Sequence, residues 1–168
     1  IVATLQGAIK QRLSTDLLLT SPQPAGMAFV VWDRWLVKPT NFLKPEAGTT
    51  PEAFDAQAGG RMRRNIVILA GGENERSGSQ SDELRRWDAF PRIYLFAEAH
   101  QNGKQAVEDA KLRIETLLCG WEAVITAGQR VSFRPADEVP LEDSELWPGN
   151  VVAIVRWRAT GARRLPTS

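Results

Sequence analysis

Residues 91–118, PRIYLFAEAH QNGKQAVEDA KLRIETLL, change their hydrophobic period partway along. In Pro91–His100 the side chains alternate, with Ile93, Leu95, Ala97 and Ala99 on one side and Tyr94, Phe96, Glu98 and His100 on the other. That is the spacing of a strand with one apolar face. From Gly103 the apolar positions Ala106, Val107, Ala110, Ile114, Leu117 and Leu118 recur at three and four, while Lys104, Glu108, Lys111 and Glu115 take the opposite side. This predicts an amphipathic helix stopped by Gly120.

Downstream, Val124, Ile125, Val131 and Phe133 predict a bent or two-part strand around Gly128. An acidic loop from Asp137 to Glu145 then runs to Trp147. A final strand, Val151–Thr160, places Val151, Ala153, Val155, Trp157 and Ala159 on one face and Val152, Ile154, Arg156, Arg158 and Thr160 on the other. Gly161–Ser168 is expected to be a flexible tail.

Upstream, Val2, Leu5, Ile9 and Leu13 mark a first amphipathic helix, and Leu17–Leu19 lead into the turn-rich run Ser21–Gly26. Met27–Val37 reads as a strand buried on much of both faces. Lys38–Gly60, with Pro39, Pro45, Pro51 and Gly59-Gly60, reads as an excursion loop whose Phe42, Leu43 and Phe54 are apolar anchors. Asn65–Ala70 is a short apolar strand, Glu73–Glu83 an exposed connection, and Leu84–Ala89 the approach to the Pro91 strand. Residues 66–70 and 91–100 are expected to be antiparallel neighbours. The fold class is therefore α+β: a mostly antiparallel sheet of four to five strands with two helices on one face, in a single domain over residues 1–160.

At 168 residues such a domain buries roughly 70% of its unfolded surface and needs no covalent staple. The 21 basic and 20 acidic residues nearly cancel, so no global field draws the chain to nucleic acid or to an anionic membrane. No apolar run approaches the roughly 20 residues of a membrane span, and a soluble protein made in a cytoplasm is expected. Charge is segregated locally. Arg61, Arg63 and Arg64 form one basic knot, Arg85 and Arg86 a second, and Arg156, Arg158, Arg163 and Arg164 a third; Asp137, Glu138, Glu142, Asp143 and Glu145 form the acidic run.

Catalytic patterns are sparse. The single Cys119 reads as a small buried hydrophobe, and the single His100 as a solvated strand end rather than its base. The acidic run lacks calcium-loop spacing and is interrupted by Pro140. Gly71-Gly72-Glu73-Asn74 lacks the Lys-Ser/Thr of a phosphate loop, and no serine sits in Gly-x-Ser-x-Gly. The six tryptophans are scattered, and only Arg156-Trp157-Arg158 interleaves one with basic residues as a nucleic-acid platform does. No catalytic residue, metal ligand or cofactor is expected.

This layout resembles the phage tail terminator family, the lambda-type proteins that cap a siphophage tail tube. The resemblance lies in the N-terminal helix Val2–Leu13, the strand Ile66–Ala70 running into Gly71, and the strand Arg92–Glu98 followed by the helix Ala106–Leu118. The acidic segment from Asp137 to Trp147 and the closing strand Val151–Trp157 complete it. About two-thirds of the chain is covered, and Met27–Arg64 has no counterpart. The resemblance implies a non-enzymatic virion protein: a six-subunit ring on the tail tube protein, facing the head completion or neck proteins, with DNA passing through its channel without specific binding. Rings use heterologous interfaces. Arg61, Arg63, Arg64, Arg85 and Arg86 against Asp137, Glu138, Glu142, Asp143 and Glu145, with Phe42 and Phe54 as anchors, are the expected contacts. The rival readings are an adjacent neck or head completion protein and, from another class, a small cytosolic metal-dependent enzyme built on the 137–145 acids.

Overall fold

The structure, a computed structural model, describes residues 4–38, 41–45, 54–55, 61–62, 64–71, 74–75, 84–141 and 150–164. In chain order its elements are α1 (Leu5–Ser14), α2 (Leu17–Thr20), β1 (Val30–Trp32), β2 (Val37–Lys38), β3 (Asn41–Pro45), β4 (Phe54–Asp55), β5 (Arg61–Met62) and β6 (Asn65–Leu69). There follow β7 (Asn74–Glu75), β8 (Leu84–Ala89), β9 (Arg92–Glu98), α3 (Gln101–Leu118), β10 (Glu122–Ile125), β11 (Gln129–Leu141) and β12 (Asn150–Arg164).

The main sheet is mixed and has eight strands in the described residues. Its order is β1-β6-β9-β12-β11-β10, with β8 lying on β12 beyond β9 and β7 on β8. Every pairing is antiparallel except β1 with β6, which is parallel. The expected neighbours are present, with Ile66 opposite Leu95 and Ile68 opposite Ile93. The class is α+β as read from the sequence, but the sheet is larger than four to five strands and a third, four-residue helix is present.

Helix α3 follows the sequence pattern. It buries Gly103, Ala106, Val107, Ala110, Ile114, Leu117 and Leu118, and Gly120 takes φ +76° just past its end. With α1 it covers Ile93, Leu95 and Ala97 of β9 and Ala153, Trp157 and Ala159 of β12 in the main core. The other face of β9 is not solvated, contrary to the one-faced reading. Tyr94 and Phe96 join Leu36, Val67 and Val152 in a second core, against which Trp32 and Trp35 pack. Trp35 meets Tyr94 edge-on, with ring centroids 5.0 Å apart, an arrangement favourable to the aromatic quadrupoles.

That second core explains why Met27–Val37 is not one strand. The chain leaves the sheet after Trp32 and bends so that Trp35 and Leu36 roof Tyr94 and Phe96. The supposed excursion loop Lys38–Gly60 contains β3 and β4, which pair antiparallel with β2 and β5 at its two ends. Leu84–Ala89 is a full strand, not an approach to one. Two further expectations change at the end of the chain. Asp137 and Glu138 belong to the 13-residue β11 rather than to a loop, and β12 continues through Arg164 where a tail was expected from Gly161.

Candidate assembly interface

Arg64 is held inside the subunit. Its guanidinium grips the Glu98 carboxylate, with Nη2 to Oε1 at 2.5 Å and Nε to Oε2 at 3.0 Å, and Nη1 donates to the Met27 carbonyl at 2.8 Å. Its side chain is only 10% exposed, so the geometry assigns Arg64 to tying the start of β6 to the end of β9 and to the 21–27 turn. Arg61 contributes backbone to β5 opposite Asp55. Arg63 lies outside the described residues.

The second knot sits on β8. Arg85 pairs with Arg163 and Arg86 with Ala162 on β12, and Arg86 is exposed. On the other flank of β12, Glu138 of β11 lies opposite Val155. Seven residues of β12 separate Ala162 from Val155, about 23 Å at a strand rise of about 3.3 Å per residue. The Arg86 and Glu138 positions are therefore too far apart for an ion pair within a subunit. Glu142, Asp143 and Glu145 lie outside the described residues. Phe42 is in β3 and Phe54 in β4, opposite Met62.

Sequence reasoning missed several surface features. Leu17 and Leu18 of α2 are 71% and 49% exposed, and Leu18, Pro24, Met27, Gln105 and Asp109 line an open groove of about 500 Å³ between the 21–27 turn and α3. The strands β1 and β10 end the main sheet, and Val124 of β10 is 60% exposed. Beside β10, Trp121 stacks on Phe133 at 5.4 Å and lies under the Arg12 guanidinium at 5.2 Å. A smaller hollow of about 240 Å³ opens there between α1 and β10. The signals in the sequence were the adjacent pair Leu17-Leu18, too short for a period, and an alternation in β10 that did not say which apolar residues face water.

The titratable groups read earlier are placed as follows. His100 is the exposed N-cap position of α3 and makes no side-chain capping bond. Cys119 is exposed, which corrects the buried reading. Its thiol pKa is pushed up, first by the share of its surroundings that excludes water and then by Glu115, so it is a poorer thiolate than a free cysteine. Among the described residues no three of His, Cys, Asp and Glu converge as a metal group.

Two carboxylates clamp helices and strands together. Asp16 N-caps α2 through the Leu19 amide at 3.1 Å and receives Arg113 of α3 at 2.7 and 3.1 Å. The Arg113 hydrogen bonds hold Asp16 below its ordinary 3.8, and those of Arg64 hold Glu98 below its ordinary 4.5. Folded pKa values below unfolded ones stabilise the protein above the unfolded value, and that stability is lost as pH falls through the folded value. Thermal midpoints are therefore expected to hold steady down to about pH 5 and to fall at lower pH, and Asp16→Asn is expected to flatten part of that fall. An unchanged acid limb in Asp16→Asn and Glu98→Gln would refute the assignment.

No protein-family model matches the chain, and no curated protein matches it in sequence. Among solved structures, a chain of the virion of native gene transfer agent (GTA) particle matches with a TM-score of 0.61 at 17% identity. The alignment covers 95% of this chain and 95% of that one, so the two share a fold from end to end.

Proposed function

We propose that this chain is a structural virion protein, a tail terminator that forms a ring on the tail tube and joins it to the neck. The observation that carries the reading is the end-to-end fold shared with a chain of a virion particle. A resemblance drawn from element order alone points to the same class of assembly. The surface supports it: among the described residues the longest strand path of the sheet runs from β1 to β10, and its two ends are different edges, as a heterologous ring contact requires.

Within this reading the subunit contact uses Arg85 and Arg86 of β8 against the acidic segment of the next copy, Asp137, Glu138, Glu142, Asp143 and Glu145. The distance along β12 supports an intermolecular pairing over an internal one. Arg63 and Arg61 remain candidates, whereas Arg64 serves the fold, so charge reversal belongs at Arg86. Assembly tests the function: the chain should form a closed ring, alone or on tail tubes, and Arg86→Glu should weaken it, most visibly at low salt. A ring unaffected by Arg86→Glu would remove the pairing, and absence of any ring would remove the function.

A further inference from the structure

Strand register gathers arginines that are scattered in sequence. Opposed residues of antiparallel strands project to the same face, and the odd-numbered Trp157 and Ala159 of β12 face the helices. The even-numbered Arg156 and Arg158 therefore lie on the other face. Arg92 of β9 is directly opposite Arg156, and Arg134 of β11 is directly opposite Arg158. Arg86 of β8 and Arg130 of β11 flank them on that face. Six arginines from four strands thus share one side of the sheet, next to the half roofed by Trp32 and Trp35.

Acids meet part of this charge. Asp88 holds Arg158 at 3.0 Å and accepts from Thr160 at 3.0 Å; Glu122 holds Arg130 at 3.0 Å. Arg86, Arg92 and Arg134 are exposed. Arg92 and Arg134 thus present their charge to solvent on one face, where a polyanion reaches them.

We propose that this face binds the phosphate backbone of duplex DNA without reading its sequence. The planar guanidinium fork suits phosphate oxygens. A long-lived protein contact is built around an apolar centre, whereas the residues between these arginines are Asp88, Ser132, Thr160 and Ala162. Trp157 is 1% exposed on the helix side, so the Arg156-Trp157-Arg158 triplet supplies charge and no stacking platform. The face offers guanidinium groups and no helix or ribbon to enter a groove, so contacts go to the backbone. The proposal stands on Arg92 and Arg134 of this face and does not need Arg86, which the ring contact would use.

The test is fluorescence anisotropy with a labelled duplex of arbitrary sequence over a salt series, on the full chain. Contact with about four phosphates gives a slope of log K against log salt of about −3 to −4. Arg92→Glu with Arg134→Glu is expected to weaken binding about tenfold or more and roughly halve that slope. Lys104→Glu, an equal charge change per site on the exposed side of α3, should leave affinity within about twofold. Thermal melting of the double variant should stay close to the wild type, because both substituted side chains are exposed. No binding at the lowest salt, or an equal loss in Lys104→Glu, overturns the proposal. So does a double variant that binds DNA normally but changes its solution mass, which would assign the face to another copy of the chain.

Discussion

Gly103→Ala should lower stability by about 3 kcal/mol, a fall in the melting midpoint of roughly 6–12 °C for a domain of this size. Helix propensity alone argues the opposite, since alanine inside a helix is favoured over glycine by about 1 kcal/mol. Geometry decides the sign. A Cβ at Gly103 would stand 1.8 Å from the Glu98 carbonyl oxygen and 2.8 Å from its carbon. Those are backbone atoms, so no rotamer change relieves the contact, and either the first turn of α3 or the end of β9 must shift. Moving Glu98 also loosens its grip on Arg64. Gly120 is the control: it has φ +76° and nothing within 4 Å of an added Cβ, so Gly120→Ala should cost only about 1 kcal/mol of backbone strain. Denaturant melts of the two variants measure the difference, and a Gly103→Ala protein as stable as wild type would contradict the packing.

The second large effect is a coupled one at Gly161. This residue of β12 lies opposite Trp87 of β8 and opposite Val131 of β11. Because it has no side chain, the Trp87 indole lies over β12 and reaches across to donate from Nε1 to Gln129 Oε1 at 3.0 Å. A Cβ at Gly161 would meet Trp87 Cζ2 at 2.3 Å and Cε2 at 2.5 Å. Gly161→Ala is expected to cost about 2–3 kcal/mol by displacing the ring, and Trp87→Leu about 3 kcal/mol through the space left in the core. The double variant should lose about 1–2 kcal/mol less than the two costs added, since leucine vacates the volume the methyl needs. Strict additivity in a double-mutant cycle would show that the close approach is not what constrains the site.

The parts of the fold legible in the sequence are those with a long, clean period. Arg92–Glu98 and the helix after it were readable because two faces and then one stripe repeat over many residues, and the β6–β9 pairing followed. Other elements were hidden for definite reasons. β1 has three residues and pairs in parallel with β6, a contact that no hairpin signal announces. The aromatic run Trp32–Leu36 resembles a strand but serves as a roof. In Leu84–Ala89 the charged Arg86 and Asp88 alternate with Trp87 and Ala89, a strand pattern too short to outweigh its polarity.

Pro135 and Pro140 lie within β11. They are tolerated because β10 pairs β11 only as far as Ser132, so beyond it, among the described residues, one flank of β11 has no ladder for a missing N–H to interrupt. An irregularity between Pro135 and Glu138 takes up the register change. The candidate interface was legible as charge blocks but not as geometry. Arg64 looked like its neighbours in the basic knot, and only its partner Glu98, 34 residues away, shows that it serves the fold. The arginine face was half visible in the parity of Arg156 and Arg158, and its other members needed the register of three more strands.

The most direct test of the account is the solution mass of the purified chain by light scattering, over a concentration series with and without tail tubes. A mass six times that of one subunit, or a single subunit that becomes a ring only on tubes and halts their growth, is the expected result. A single subunit indifferent to tubes at every concentration would contradict it.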